Sequence, residues 1–146
     1  MSILAKVILP GSGAGPALHM QGPFSFWGGV DPATGKLTDP TNAHFGQSIA
    51  GTVFFVPETR GSSSSSAVLL ELLKSGRAPE AIVLGEIDAI AGLGILVARE
   101  MGWKSIPLLV MPSALQSTFR NAARITVVSD GTVFDASSGA TSGTAV

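Results

Sequence analysis

Between Thr52 and Met111 the chain switches repeatedly between two spacings of apolar residues, and this alternation limits the fold more than any other feature. Thr52–Val56 is a short run of β-branched and aromatic residues that reads as a buried strand. After the serine run comes Ala67–Pro79, in which Val68, Leu69, Leu72 and Leu73 recur at helical spacing. Gly76 suits a helix C-cap and Pro79 a stop. Ala81–Glu86 reads as a second buried strand and Ile90–Gly102 as a second helix. Ile106–Met111 reads as a third strand. Asp88 stands where its carboxylate can cap the helix after it.

The flanking regions are richer in strand signals. Ile3–Leu9 reads as a first strand ended by Pro10 and Gly11. Phe24 and Phe26 alternate as on one strand face, with Trp27 beside them. Asp31–Gly35 carries Pro32 and Gly35 in places that suit a tight turn. Ser113–Ala123 predicts a short helix with Ser113 as N-cap. Arg124–Ala136 predicts a hairpin turning at Asp130-Gly131. The pattern predicts a single compact α/β domain over residues 1–136, with helices packed on one side of the sheet. Residues 137–146, all small or polar apart from Val146, are expected to form a flexible tail.

Composition excludes several classes of function. Of 146 residues 45% are hydrophobic and only 13% charged, against roughly 25% charged in an ordinary soluble domain. The chain can therefore fill a core and still offer apolar surface to a partner. The net charge is −1 and no basic run occurs, which argues against nucleic acid and against an anionic membrane surface as partners. There is no cysteine, so the chain itself has no disulfide, thiolate metal site or cysteine nucleophile. The apolar N-terminal stretch is too short for a secretory signal, and Glu86 and Asp88 interrupt the most apolar later stretch. A cytoplasmic protein is expected.

Several motifs fail on spacing. The glycines at 11, 13 and 15 are followed by Pro16, and the third comes a residue too early for a dinucleotide fingerprint, so this stretch reads as a turn. Gly29–Leu37 is a residue too long for a phosphate loop and lacks its Ser or Thr. His19 and His44 lack metal-ligand spacing and read as structural. They also lack the exposed, glycine-rich context of a phosphocarrier histidine. No Gly-x-Ser-x-Gly elbow is present.

The serine run Ser62–Ser66 is different. Low-complexity serine is usually linker, but this run joins a buried strand directly to a helix. The first N–H groups of a helix have no partner within it, and its dipole is positive there, so such a junction can hold an anion. Gly61 permits a close turn, and Ser63 and Ser64 add hydroxyl donors. Arg60 at the lip could face a carboxylate or a neighbouring chain. A serine hydroxyl acts as a base only where donors stabilise its alkoxide or a neighbour takes its proton.

Three blocks, Phe24–Pro40, Gly46–Ala98 and Ile106–Val110, together resemble the aconitase X small subunit, the swivel domain of that branch of the aconitase superfamily. The combination of Phe-Trp-Gly-Gly-Val-Asp-Pro (26–32) with Arg-Gly-Ser-Ser (60–63) carries most of this specificity. The resemblance implies a swivelling β/β/α domain that closes over a separate large subunit or fused large domain. That partner bears an iron–sulfur cluster on its cysteines, and this chain alone binds none. It further implies dehydration of a small hydroxy acid, with the serine after the motif glycine, here Ser62, as general base. Gly61, Ser63, Ser64 and Arg60 would bind substrate. Where the wider superfamily has a carboxylate-binding arginine this chain has Ser64, and the run of five serines makes Ser63 the neighbouring candidate for the base.

Members with a serine-rich loop resemble cis-3-hydroxy-L-proline dehydratases. These remove the Cα proton and the 3-hydroxyl to give Δ1-pyrroline-2-carboxylate, with the partner's metal acting as Lewis acid toward the leaving hydroxyl. Archaeal relatives resemble a mevalonate 5-phosphate dehydratase, whose loop more often mixes Thr and Gly among the serines. A non-enzymatic module that binds a small anion at the same helix terminus is the alternative from another class.

Overall fold

The computed structural model describes residues 1–60 and 63–137. Its centre is an eight-stranded sheet in the order β1-β10-β9-β3-β5-β7-β8-β2. The strands are β1 (Ser2–Leu4), β2 (Lys6–Leu9), β3 (Gly13–His19), β5 (Val53–Val56), β7 (Ala81–Leu84), β8 (Leu108–Val110), β9 (Arg124–Val127) and β10 (Thr132–Asp135). A separate ribbon pairs β4 (Pro23–Phe24) with β6 (Glu58–Thr59). β3, β5, β7 and β8 run parallel, and the remaining pairs of the large sheet are antiparallel. The crossovers from β5 to β7 and from β7 to β8 are α2 (Ser64–Ser75) and α3 (Ala89–Glu100).

The expected alternation of strand and helix is thus present, and strand pleating explains how it is buried. Successive residues of β5 point to opposite faces. Phe54 and Val56 join Ile82, Leu84 and Leu108 beneath Leu69 and Leu72 of α2 and Ile95 of α3. Val53 and Phe55 join Val83, Leu109, Ile125, Val127 and Val133 on the other face, where Phe119 stacks on Phe55 at 5.9 Å between ring centroids. The two long helices therefore lie on one face, and the sheet's own curvature encloses the other. Each fully buried Phe, Leu or Ile contributes about 1.5–3 kcal/mol.

Local signals hold at both helix ends. Asp88 Oδ1 accepts the N–H groups of Ile90 and Ala91 at 2.9 and 3.3 Å. Gly76 takes the left-handed conformation, with φ of 75°, that closes α2. The Asp130-Gly131 hairpin forms as expected, with Gly131 at φ 99° and Asp130 Oδ1 accepting the N–H of Thr132.

Four expectations are corrected. Gly13–Gly15 is not a turn but the start of β3. A Cβ on Gly13 would lie 2.4 Å from the carbonyl oxygen of Glu80, and one on Gly15 would lie 2.0 Å from that of Gly51. These glycines serve close backbone approach within a strand. Second, Ile3–Leu9 is not one strand. β1 pairs with β10 and β2 pairs with β8, with only Ala5 between them. One bent segment therefore supplies both edge strands and links the two ends of the sheet, fastened where the N–H of Ala5 donates to the carbonyl of Gly131 at 2.9 Å. Third, Phe24 and Phe26 do not share a strand. Phe24 ends β4, and Phe26 opens α1 (Phe26–Gly29), a kinked turn broken at Trp27 and Gly28. Fourth, Ser113 does not cap α4 (Ser113–Gln116). Pro112 holds the flanking position in an extended conformation, and its carbonyl accepts from Leu115 and Gln116.

Of the expected tail, residues 138–146 lie outside the described ones. Ser137 is tied to β9, its hydroxyl accepting the N–H of Arg124 at 2.9 Å. Among the described residues no helix is long and apolar enough to cross a membrane.

Candidate functional site

The parallel strands end together, and ligand sites in open α/β sheets gather at such carboxyl ends. Beyond β5 the chain passes through Pro57, β6 and Arg60 before entering α2. Beyond β7 it passes through Gly85, Glu86 and Ile87 to the Asp88 cap. These two connections touch: a Cβ on Gly85 would lie 2.0 Å from the Pro57 carbonyl oxygen. The two helices are equally close, since a Cβ on Gly94 would lie 2.9 Å from the carbonyl oxygen of Ser66.

Of the sequence-derived site residues, Arg60, Ser63 and Ser64 fall at this junction. Ser64 opens α2, and Ser63 precedes it in a helical conformation without capping through its side chain. Both are exposed. Ser66 Oγ donates back to the Ser63 carbonyl at 3.0 Å. Gly61 and Ser62 lie outside the described residues. α2 spans 12 residues, so its first turn offers donors and a positive dipole end to the space before Ser63. Glu86 is exposed beside the loop, whereas Asp88 is engaged as a cap.

Ser65 is the inward member of the run. Only 5% of it is exposed, and its Oγ has no hydrogen-bond partner among the described residues. A buried polar atom left unpaired costs about 1–3 kcal/mol, and alanine is the better helix former by about 0.5 kcal/mol. Ser65→Ala is therefore expected to raise stability by roughly 1 kcal/mol, measured as a higher urea midpoint with unchanged slope. A lower midpoint would show that the hydroxyl is engaged in the native protein.

Arg60 leads out of this junction into a groove of about 560 Å³, lined also by Phe24, Ser25, Trp27, Thr38, Asp39 and Asn42. Its backbone N–H donates to the carbonyl of Phe24 at 2.8 Å. Asp39 and Trp27 were not among the sequence candidates. The polar cluster Thr38-Asp39-Pro40-Thr41-Asn42 is the signal that marks their loop. Asp39 is held below the usual carboxylate range by hydrogen bonds from the backbone and then the side chain of Thr41.

Of the two histidines, His19 proves structural in placement, while His44 lies half-buried in the loop after Asp39. His19 ends β3 and stacks on Phe55 at 4.4 Å. Its Nε2 is buried without a partner, and burial is the chief cause that pulls its pKa below the ordinary value. A neutral, stacked imidazole does not serve as a phosphocarrier group. Among the described residues no group of three or more His, Cys, Asp or Glu side chains could hold a metal ion.

Comparison with known proteins gives this geometry a family. The model of the aconitase X swivel domain matches residues 2–144. A cis-3-hydroxy-L-proline dehydratase of Pseudomonas aeruginosa is 41% identical over 106 residues, covering 73% of this chain and 18% of that protein. One of Hypocrea jecorina is 38% identical over 84% of this chain and 20% of its own length. The chain thus spans about a fifth of the dehydratases it matches. The phosphomevalonate dehydratase small subunit of Thermococcus onnurineus is 42% identical, over 67% of this chain and 75% of the subunit. The crystal structure of Thermococcus kodakaraensis aconitase X superposes with a TM-score of 0.81 at 32% identity, covering 92% of this chain and 98% of that one. The resemblance read in the aromatic-glycine and serine blocks is borne out over nearly the whole length, and the chain belongs to the aconitase X swivel domain family.

Proposed function

We propose that this chain is the swivel subunit, or swivel domain, of an aconitase X-type dehydratase that converts cis-3-hydroxy-L-proline into Δ1-pyrroline-2-carboxylate. The observation that carries the reading is a serine run opening a 12-residue helix at the carboxyl ends of parallel strands, in a chain whose relatives are named dehydratases. The uninterrupted run of five serines favours the hydroxyproline substrate. The phosphomevalonate reading rests on the fuller match to a separate small subunit.

In this reaction Ser62, as its alkoxide, takes the Cα proton and becomes the neutral hydroxyl. The electron pair left behind forms the Cα–Cβ double bond as the 3-hydroxyl departs, and the resulting enamine tautomerises to the cyclic imine. The first turn of α2 with Ser63 and Ser64, together with Arg60, would receive the substrate carboxylate, and Gly61 would let it approach the backbone. The chain's own residues do not fit an iron–sulfur cluster, since it contains no cysteine. The cluster is assigned to a cysteine-bearing large subunit, which completes the site. Such a small-metabolite enzyme is placed in the cytoplasm.

The test is anaerobic co-expression with the aconitase X large subunit of the same source. The expected result is a co-purifying heteromer that consumes cis-3-hydroxy-L-proline. Turnover of mevalonate 5-phosphate instead would select the second reading. A chain that purifies alone, inactive when mixed with the large subunit, would leave the anion-binding module.

A further inference from the structure

The segment Phe24–Gly29 is the common anchor of two oppositely charged side chains. On one side the Phe24 carbonyl accepts the N–H of Arg60 at 2.8 Å. On the other, the Gly28 carbonyl accepts the hydroxyl of Thr38 at 2.9 Å, and the Gly29 carbonyl accepts its N–H at 3.1 Å. Asp39 is the next residue. Gly29 sits tight against the Phe24 ring, where a Cβ would fall 2.8 Å from Cε1. The segment therefore ties the backbones of Arg60 and Thr38 to one anchor.

Arg60 and Asp39 both line the groove of about 560 Å³, and among the described residues they make no ion pair with each other. Thr41 orients the carboxylate, its N–H and its hydroxyl donating to Asp39 Oδ1 at 2.9 and 2.7 Å. Asp39 Oδ2 has no donor among the described residues. Trp27, 61% exposed, lines the same groove and offers an aromatic surface suited to a small ring or a cation. Opposite charges that line one groove without pairing suit a ligand that carries both charges.

We infer that Arg60 and Asp39 form a clamp for a zwitterionic amino acid, with Arg60 receiving its carboxylate and Asp39 its ammonium. The inference rests on the proposed hydroxyproline dehydratase and adds a specificity residue to it. Asp39 favours a substrate bearing a positive nitrogen and opposes a phosphorylated acid, which brings only negative charge. It also gives the aromatic-glycine block a chemical role: the block is the shared anchor of Arg60 and Thr38.

The assembled heteromer carrying Asp39→Asn tests this with two ligands. One is cis-3-hydroxy-L-proline. The other is its ring-oxygen analogue, cis-3-hydroxytetrahydrofuran-2-carboxylate, used as a competitive inhibitor that keeps the carboxylate and loses the cation. The expected result is a KM for hydroxyproline raised about tenfold or more, the scale of one charge-assisted hydrogen bond. The kcat should change less than about threefold and the inhibition constant of the oxygen analogue should stay the same, since neither depends on the lost charge. Asp39→Glu should recover part of the loss. An unchanged KM, or an equal loss for both ligands, would overturn the clamp while leaving the dehydratase reading intact. A wild-type heteromer that does not consume hydroxyproline would overturn both.

Discussion

Ser62→Ala is expected to lower the kcat of the assembled dehydratase about a hundredfold or more, the scale of removing a general base. The heteromer should still form, because the change deletes one hydroxyl and adds no bulk. A large effect is expected because two nearby titratable groups are otherwise engaged: Asp88 caps α3 and His19 is stacked on Phe55. Ser63→Ala, by contrast, should act mainly on KM, since Ser63 is assigned to carboxylate binding. Steady-state rates for the two variants, with assembly followed by size exclusion, decide the matter. If Ser63→Ala is the variant that abolishes turnover, the base is one residue further along.

Phe54→Ala is expected to cost about 3–5 kcal/mol of stability, as for other fully buried phenylalanines. Phe54 is fully buried, and its ring meets those of Phe24 at 5.3 Å and Phe26 at 6.1 Å, both edge-on. The loss would be a large part of a typical total stability of about 5–15 kcal/mol. The same ring supports Phe24, whose carbonyl holds Arg60. Urea denaturation of the chain should show the lower midpoint. Any fold that remains should bind carboxylate ligands less tightly in the heteromer. A midpoint shift equivalent to less than about 1 kcal/mol would mean that the cluster collapses around the gap.

The parts of the fold that were legible in the sequence are those governed by neighbours along the chain. Phe54 and Val56 alternate with Val53 and Phe55, Asp88 caps the turn that follows it, and Gly76 ends the helix that precedes it. The parts that were not legible depend on distant partners. Gly13 and Gly15 carry turn chemistry in isolation, and only the carbonyls of Glu80 and Gly51 show that they belong in a strand. The division of Ile3–Leu9 was hidden for the same reason, since its partners lie beyond residue 100. At the site the serine run was visible because it breaks the local pattern. Asp39 was not, because its relation to Arg60 exists only through the shared Phe24–Gly29 anchor.

The bent segment that supplies both edge strands bears on how the protein is made. Its first strand zips onto nearly the last described residues, Ser2 opposite Phe134 and Leu4 opposite Thr132. A ribosome releases the N-terminal half long before those partners exist. Until then Ser2–Leu4 has no mate, and the nascent chain exposes an unpaired strand edge that invites association with other chains. Pairing across nearly the whole sequence also places the chain among slower folders, because the longest loop must close before its contacts return any free energy. Once β1 has paired, the edge of β10 is covered, and that protection begins only when residues 132–135 have been made.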